Sequence, residues 1–142
     1  MSGTGFATVL APVEQSDASW RALNMAFSLC EEAGATLILL AAVDLPAQGA
    51  MSVAAVEEVR RDRLRTLNTS IRQATVFASY AGIHTTTVTA EGPVWKAVVR
   101  YVAAHETDLI ILARRRGLLR GRLLPSTADF IIRRVTCPVM VV

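Results

Sequence analysis

Cysteine is scarce in this sequence, and the two that occur lie far apart. Cys30 and Cys137 form no CxxC pair and have no histidine at metal-ligand spacing, which excludes a disulfide framework and a zinc site. Two buried, reduced thiols in a cytoplasmic protein are the expectation. Lysine is scarcer still: Lys96 stands alone among fifteen basic residues, the other fourteen being arginine. Twelve acidic residues leave a formal net charge of +3, too mild an excess to mark a specific nucleic-acid partner. Long apolar runs are missing. The longest covers residues 37–43, far short of the ~20 residues that span a bilayer, so no membrane insertion is expected. No basic stretch followed by an apolar one opens the chain, and no signal peptide is expected. GxSxG, HExxH and GxxxxGK[ST] are all absent.

What is present is apolar and periodic. Of 142 residues, 52% are hydrophobic and 19% charged, enough to build one substantial core and too apolar for disorder; one domain over 1–142 is expected. Residues 6–13 read as a buried strand ending near Pro12. Ser16 or Asp17 can cap the helix that follows, with Ala18, Ala22, Met25, Ala26, Leu29, Cys30 and Ala33 as its apolar face and Gly34 as its C-cap. Residues 36–43 are a near-continuous apolar run, the mark of a strand covered on both faces. A loop over 44–50 leads to a long helix over 52–80, with Arg60, Arg61, Arg63, Arg65 and Arg72 to solvent, Glu57 four residues before Arg61, and a weak stretch at 68–75 where it can break. Residues 83–89 alternate and are rich in threonine, as suits a strand near a sheet edge.

Glu91-Gly92-Pro93 opens a helix with proline at its first position and Val94, Ala97, Val98, Tyr101 and Val102 on its apolar face. Residues 108–113 form the next buried strand, 114–124 a basic loop, and 126–134 a helix with a capping box of Ser126 and Asp129. Residues 139–142 are the last strand. Strands and helices that alternate in this way predict an α/β fold: one doubly wound, Rossmann-like domain with a five-stranded parallel sheet and helices on both faces.

Function classes can then be tested on the residues. Ligands in such a sheet sit beyond the carboxyl ends of the strands. His84 begins a strand and His105 lies near a helix C-terminus, so neither is placed for catalysis. Cys137 precedes a proline and reads as a buried structural thiol. No catalytic residue is assigned, and no enzyme is expected. The segment from Ala113 to Thr127 is different. It runs from a strand end to a helix N-terminus, where free amides and the helix dipole favour an anion, and it carries Arg114, Arg115, Arg116, Arg120 and Arg122. The residues leave open whether it is an anion site or a solvated basic connection.

Three segments resemble the universal stress protein family, and the resemblance covers the whole chain. LAPVEQSDASWRALNMAFSL is similar to the family's first strand and helix, a V-P-V-D-G-S followed by an R-A-L. EGPVWKAVVRYVAAHETDLIILA resembles its G-x-P-x-x-A-I helix and A-D-L-I-V-M-G strand. LLPSTADFIIRRVTCPVMVV resembles its ending, L-L-G-S-V-A-E-x-V-x-R-x-A-P-C-P-V-L-V-V. The fold implied is that of the adenine nucleotide alpha hydrolases. ATP-binding members carry G-x2-G-x9-G-[ST] between the fourth strand and the last helix, with phosphates on loop amides. Here Ala113 and Arg116 stand at the first two glycine positions, eight residues beginning at Gly117 separate Arg116 from Pro125 at the third, and Ser126 alone is retained. Glu14 and Gln15 stand where binders have aspartate and glycine.

The resemblance therefore implies a small cytoplasmic protein with a regulatory, binding role in the stress response, holding no ATP in the usual manner. The rival readings are a nucleotide binder with a variant loop and the regulatory domain of a larger protein such as a transporter; Met1 just before the first strand favours a free-standing chain. No cofactor is expected to be required, with ATP or another phosphate-bearing ligand as candidate occupant. The candidate site residues are Pro12, Val13, Glu14, Val43, Ala113, Arg114, Arg116, Gly117, Pro125, Ser126 and Thr127. The partners expected are a regulatory protein and a second copy of the chain. Val139, Met140, Val141 and Val142, apolar and ending the chain, would join two copies as an edge strand, as the resemblance implies.

Overall fold

The computed structural model describes residues 6–14, 17–46, 49–114, 118–119, 122–123 and 127–142, with the backbone alone at 17, 18, 118, 119, 122 and 123. Among these residues the order is β1 (Thr8–Pro12), α1 (Asp17–Ala33), β2 (Thr36–Val43), α2 (Val53–Tyr80), β3 (Thr85–Glu91), α3 (Val94–Ala104), β4 (Leu109–Leu112), β5 (Leu118–Leu119), β6 (Arg122–Leu123), α4 (Thr127–Ile132) and β7 (Val139–Val141). Five strands form the expected parallel sheet, in the order β3-β2-β1-β4-β7. Strand order reverses between β1 and β4, and the carboxyl ends around that point are where such a sheet places its ligands.

Alternation along the strands separates two cores. Val9, Ala11, Leu37, Leu39 and Ile111 face Ala22, Leu23, Ala26, Phe27 and Cys30 of α1 and Ala74 and Ala78 of α2. Leu10, Ile38, Leu40, Ile110 and Leu112 face Ala97 and Val98 of α3 and Ala128 and Ile131 of α4. The apolar face of α1 is rotated from the expected one: Leu23 and Phe27 are buried, while Met25 is 39% exposed. Cys30 is buried as expected, but Cys137 is half-buried, because it lies on the approach to an edge strand.

Element boundaries differ where hydrogen bonding decides them. β1 begins at Thr8 because the Asp108 carboxylate accepts from the amides of Ala7 and Thr8, both at 2.9 Å. The same role takes Asp108 out of β4. α2 runs unbroken through 68–75. Thr66, Thr69 and Thr75 donate their hydroxyls to main-chain carbonyls one turn back, and Ser70 and Ala74 are buried against the sheet. Arg60 is half-buried rather than turned to solvent, and it, not Arg61, pairs with Glu57; it also pairs with Glu91. β3 extends to Glu91, which registers with Val43, and it is an edge strand as expected.

Pro93 caps α3 from outside at φ −61° and ψ 143° rather than occupying its first turn. The basic loop contains an antiparallel hairpin, β5 with β6. α4 stops at Ile132, where the Arg134 amide bonds the Ile131 carbonyl in a tighter turn. The proposed capping box falls on Ser126, outside the described residues. β7 is the other sheet edge, and its three residues are half-buried.

Candidate functional site

The carboxyl end of the sheet opens into a cleft of about 790 Å³, within the usual size for a small-molecule site. Its floor comes from the ends of β1 and β2, where Val13, Glu14, Ala42, Val43 and Asp44 line it. The floor is tied together by main-chain bonds: Val13 N–H to the Leu40 carbonyl at 2.7 Å and Gly92 N–H to the Val43 carbonyl at 2.8 Å. Gly92 sits at φ +102°, a conformation that favours glycine, and this turn lets the chain leave β3 and deliver Pro93, Val94 and Trp95 to the cleft. Where the chain leaves β1, the Glu14 amide donates to the buried Ser19 hydroxyl at 2.9 Å, holding the main chain at the cleft floor.

The far wall is α2, which contributes Asp62, Arg63, Thr66 and Leu67. Thr127, the first residue of α4, is the last of the described residues in the lining. The cleft's described ionisable groups are three carboxylates, Glu14, Asp44 and Asp62, and one guanidinium, Arg63. Asp62 also lies 4.0 Å from exposed Arg65, on the rim.

Of the residues expected at the site, Val13, Glu14, Val43 and Thr127 line this cleft. Pro12 and Ala113 line a small adjoining hollow together with Glu14, Ser19 and Thr127. Arg114 is exposed and uses its amide to bond the Val142 carbonyl at 2.8 Å, closing the sheet rather than lining the cleft. Arg116, Gly117, Pro125 and Ser126 lie outside the described residues. The expected set omitted the α2 wall and Trp95. Trp95 had a signal available, since it follows the carboxyl end of β3. The α2 residues had none, because helical periodicity does not say which sheet end a long helix overhangs.

Neither histidine nor either cysteine lines the cleft. His84 precedes β3 and His105 precedes β4, both at the amino end of the sheet, and the His105 ring stacks on Tyr101 with centroids 4.2 Å apart. Burial pushes the Cys30 thiol up to about 11. Burial also raises Cys137, with the nearby Asp108 charge acting in the same direction. Raised thiols are poor nucleophiles near neutral pH. Among the described residues no cluster of histidine, cysteine and carboxylate groups is arranged to hold a metal ion, and no helix is long and apolar enough to cross a membrane.

Comparison with known proteins agrees with this geometry. No curated protein sequence matches the chain. Solved structures do. A universal stress protein, UspA, from Lactobacillus plantarum superposes with a TM-score of 0.85 at 23% identity, covering 99% of both chains. A universal stress protein in complex with cAMP gives a TM-score of 0.74 at 23% identity, over 98% of both chains. The universal stress protein from Archaeoglobus fulgidus in complex with dAMP gives 0.65 at 16% identity, over 97% of this chain and 98% of that one. The sequence model of the universal stress protein family matches residues 5–142, and this chain belongs to that family.

Proposed function

We propose that this chain is a cytoplasmic binding protein with a regulatory rather than catalytic role, whose cleft does not hold ATP through the loop amides used by ATP-binding relatives. The observation that carries this reading is the segment 113–126. Arg116 puts a long side chain where a glycine would let backbone approach phosphate, and Pro125 removes an amide donor and fixes φ. The three carboxylates in the cleft lining add to it, since they oppose a polyphosphate. Unpaired thiols at Cys30 and Cys137 fit a reducing compartment. Calorimetry with ATP and magnesium tests the reading. No tight, stoichiometric binding is expected; a weak, salt-sensitive association shared by other polyanions would mark a non-specific arginine patch. Tight 1:1 binding of ATP contradicts the proposal and favours a nucleotide-binding member with a variant loop, a reading supported by relatives solved with cAMP and dAMP.

The same reading includes a homodimer through β7. Its support is the position of β7 at a sheet edge with three apolar, half-buried residues. Val142 bonds β4 through both its amide and its carbonyl. By strand alternation, Val141 therefore directs its main-chain groups to the open edge. Light scattering at micromolar concentration should report a dimer, and a monomer refutes it.

A further inference from the structure

Carboxylates are missing from one long stretch of this chain. Twelve acidic residues stand among 142, yet none occurs between Asp62 and Glu91, a span that takes in most of α2, the turn after it and nearly all of β3. Glu91 itself is paired with Arg60. Within the span, Arg65 lies 4.0 Å from Asp62 in an exposed pair, and such pairs hold weakly. Arg72 is exposed and has no ion-pair partner among the described residues. The end of the same helix is apolar and uncovered: Val76 is 51%, Phe77 54% and Tyr80 91% exposed. Apolar residues scattered singly need no explanation, but a cluster beside cations marks a contact surface. The Phe77 ring is held against Phe27 of α1 with centroids 4.8 Å apart, so this surface is ordered before anything meets it. Val76 lies one turn beyond Arg72, and Tyr80 one turn beyond Val76, so cation and apolar groups form one continuous strip. On α1, exposed Glu31 lies one turn beyond Phe27 and borders it.

We infer that this strip of α2 is the docking surface for an acidic amphipathic helix of a partner protein. Aromatic residues and arginine are the types enriched where proteins meet, and tyrosine and arginine supply much of the binding energy there. Helices pack by interlocking rows of side chains spaced three and four residues apart, the spacing of Arg72, Val76 and Tyr80. The partner's carboxylates meet Arg65 and Arg72, where α2 offers no acidic residue beyond Asp62 to compete, and its apolar side covers Phe77 and Tyr80. Two guanidiniums are too few for an anionic membrane or a nucleic acid, whose binding rests on neutralising many charges at once. None of these residues lines the cleft. The inference deepens the regulatory reading above by giving its partner a chemistry and a place, and it stands apart from what fills the cleft.

The probe is a fluorescent helical peptide with leucine along one face and glutamate along the other, read by anisotropy beside a twin in which lysine replaces glutamate. The acidic peptide should bind saturably and the lysine twin should not. Arg72→Glu and Tyr80→Ala alter exposed side chains, so both should keep the unmodified unfolding midpoint. Each should weaken the acidic peptide roughly 10-fold, and Arg72→Glu should in turn improve binding of the lysine twin. Arg133→Glu, exposed just past α4 on the other side of the sheet, should leave the acidic peptide within about two-fold. Absence of saturable binding, or binding that ignores both Arg72→Glu and Tyr80→Ala, overturns the inference. So does tighter binding to phosphatidylserine vesicles or to single-stranded RNA that is lost in the same two variants, since the strip would then serve a lipid surface or a nucleic acid. None of these results bears on the loop reading, whose failure shows separately as tight ATP binding.

Discussion

The floor of the cleft and the segment that follows β4 belong to one sheet end but were shaped by different constraints. Val13 directly follows β1, and Ala42 and Val43 end β2; Ala11 and Ala41 just before them are fully buried, so packing restricts what can stand there. At 113–126 the family's ATP-binding pattern depends on glycines, which contribute no packing and serve a backbone approach to phosphate. Ala113, Arg116 and Pro125 have replaced them without any change in the family fold. Residues held by the core and residues held by a binding role alone are therefore free to change separately.

The strongest way to break the comparison is to damage the floor from beneath. Ile111 of β4 is fully buried in the core against α1 and α2, and Ile111→Ala should lower unfolding free energy by about 2–5 kcal/mol in urea titration. Arg116→Gly, in contrast, should leave stability within about 0.5 kcal/mol, the outcome expected where a residue serves binding rather than packing. Equal losses would show that both regions are packing elements.

The Cys30 thiol tests how dry the core beneath α1 is. Its folded value is about 11 against an ordinary 9.0, so between those pH values the unfolded chain ionises while the folded one does not. The stability it contributes is full below pH 9 and lost as pH rises through 11, a loss of about 2–3 kcal/mol relative to Cys30→Ala. Matching pH profiles of the two proteins between pH 8 and 11 would mean that water reaches Cys30.

A smaller effect on the fold, though a decisive one on assembly, is expected at the sheet edge. Val141→Pro removes an amide that faces outward while leaving the Val142 bonds to β4, so the protein should become monomeric with little change in unfolding midpoint. An unchanged dimer would place the interface elsewhere.

Much of this molecule was legible in its sequence, for reasons that differ by element. The 36–43 run could be nothing but a doubly covered strand, and Gly34, at φ +68°, ends α1 where its composition said. Polar residues misled at 68–75, because threonines that bond their own helix leave no mark distinguishing them from threonines that break it. Leu23 and Phe27 were missed on α1 for a related reason: Met25 is as apolar as they are, and only the sheet decides which stripe is covered. At the site, strand ends were readable from the topology rule, whereas Asp62 and Thr66 depended on where a 28-residue helix happens to pass.

The central claim is that the segment 113–126 does not hold the phosphates of ATP as the loop of ATP-binding relatives does. The most direct measurement is the ratio of dissociation constants for adenosine and ATP, taken by calorimetry on one preparation of the unmodified protein with magnesium present. The account predicts that ATP binds no more tightly than adenosine, the triphosphate adding nothing or costing affinity. ATP binding 100-fold or more tightly, equivalent to about 2.7 kcal/mol from the phosphates, would contradict it.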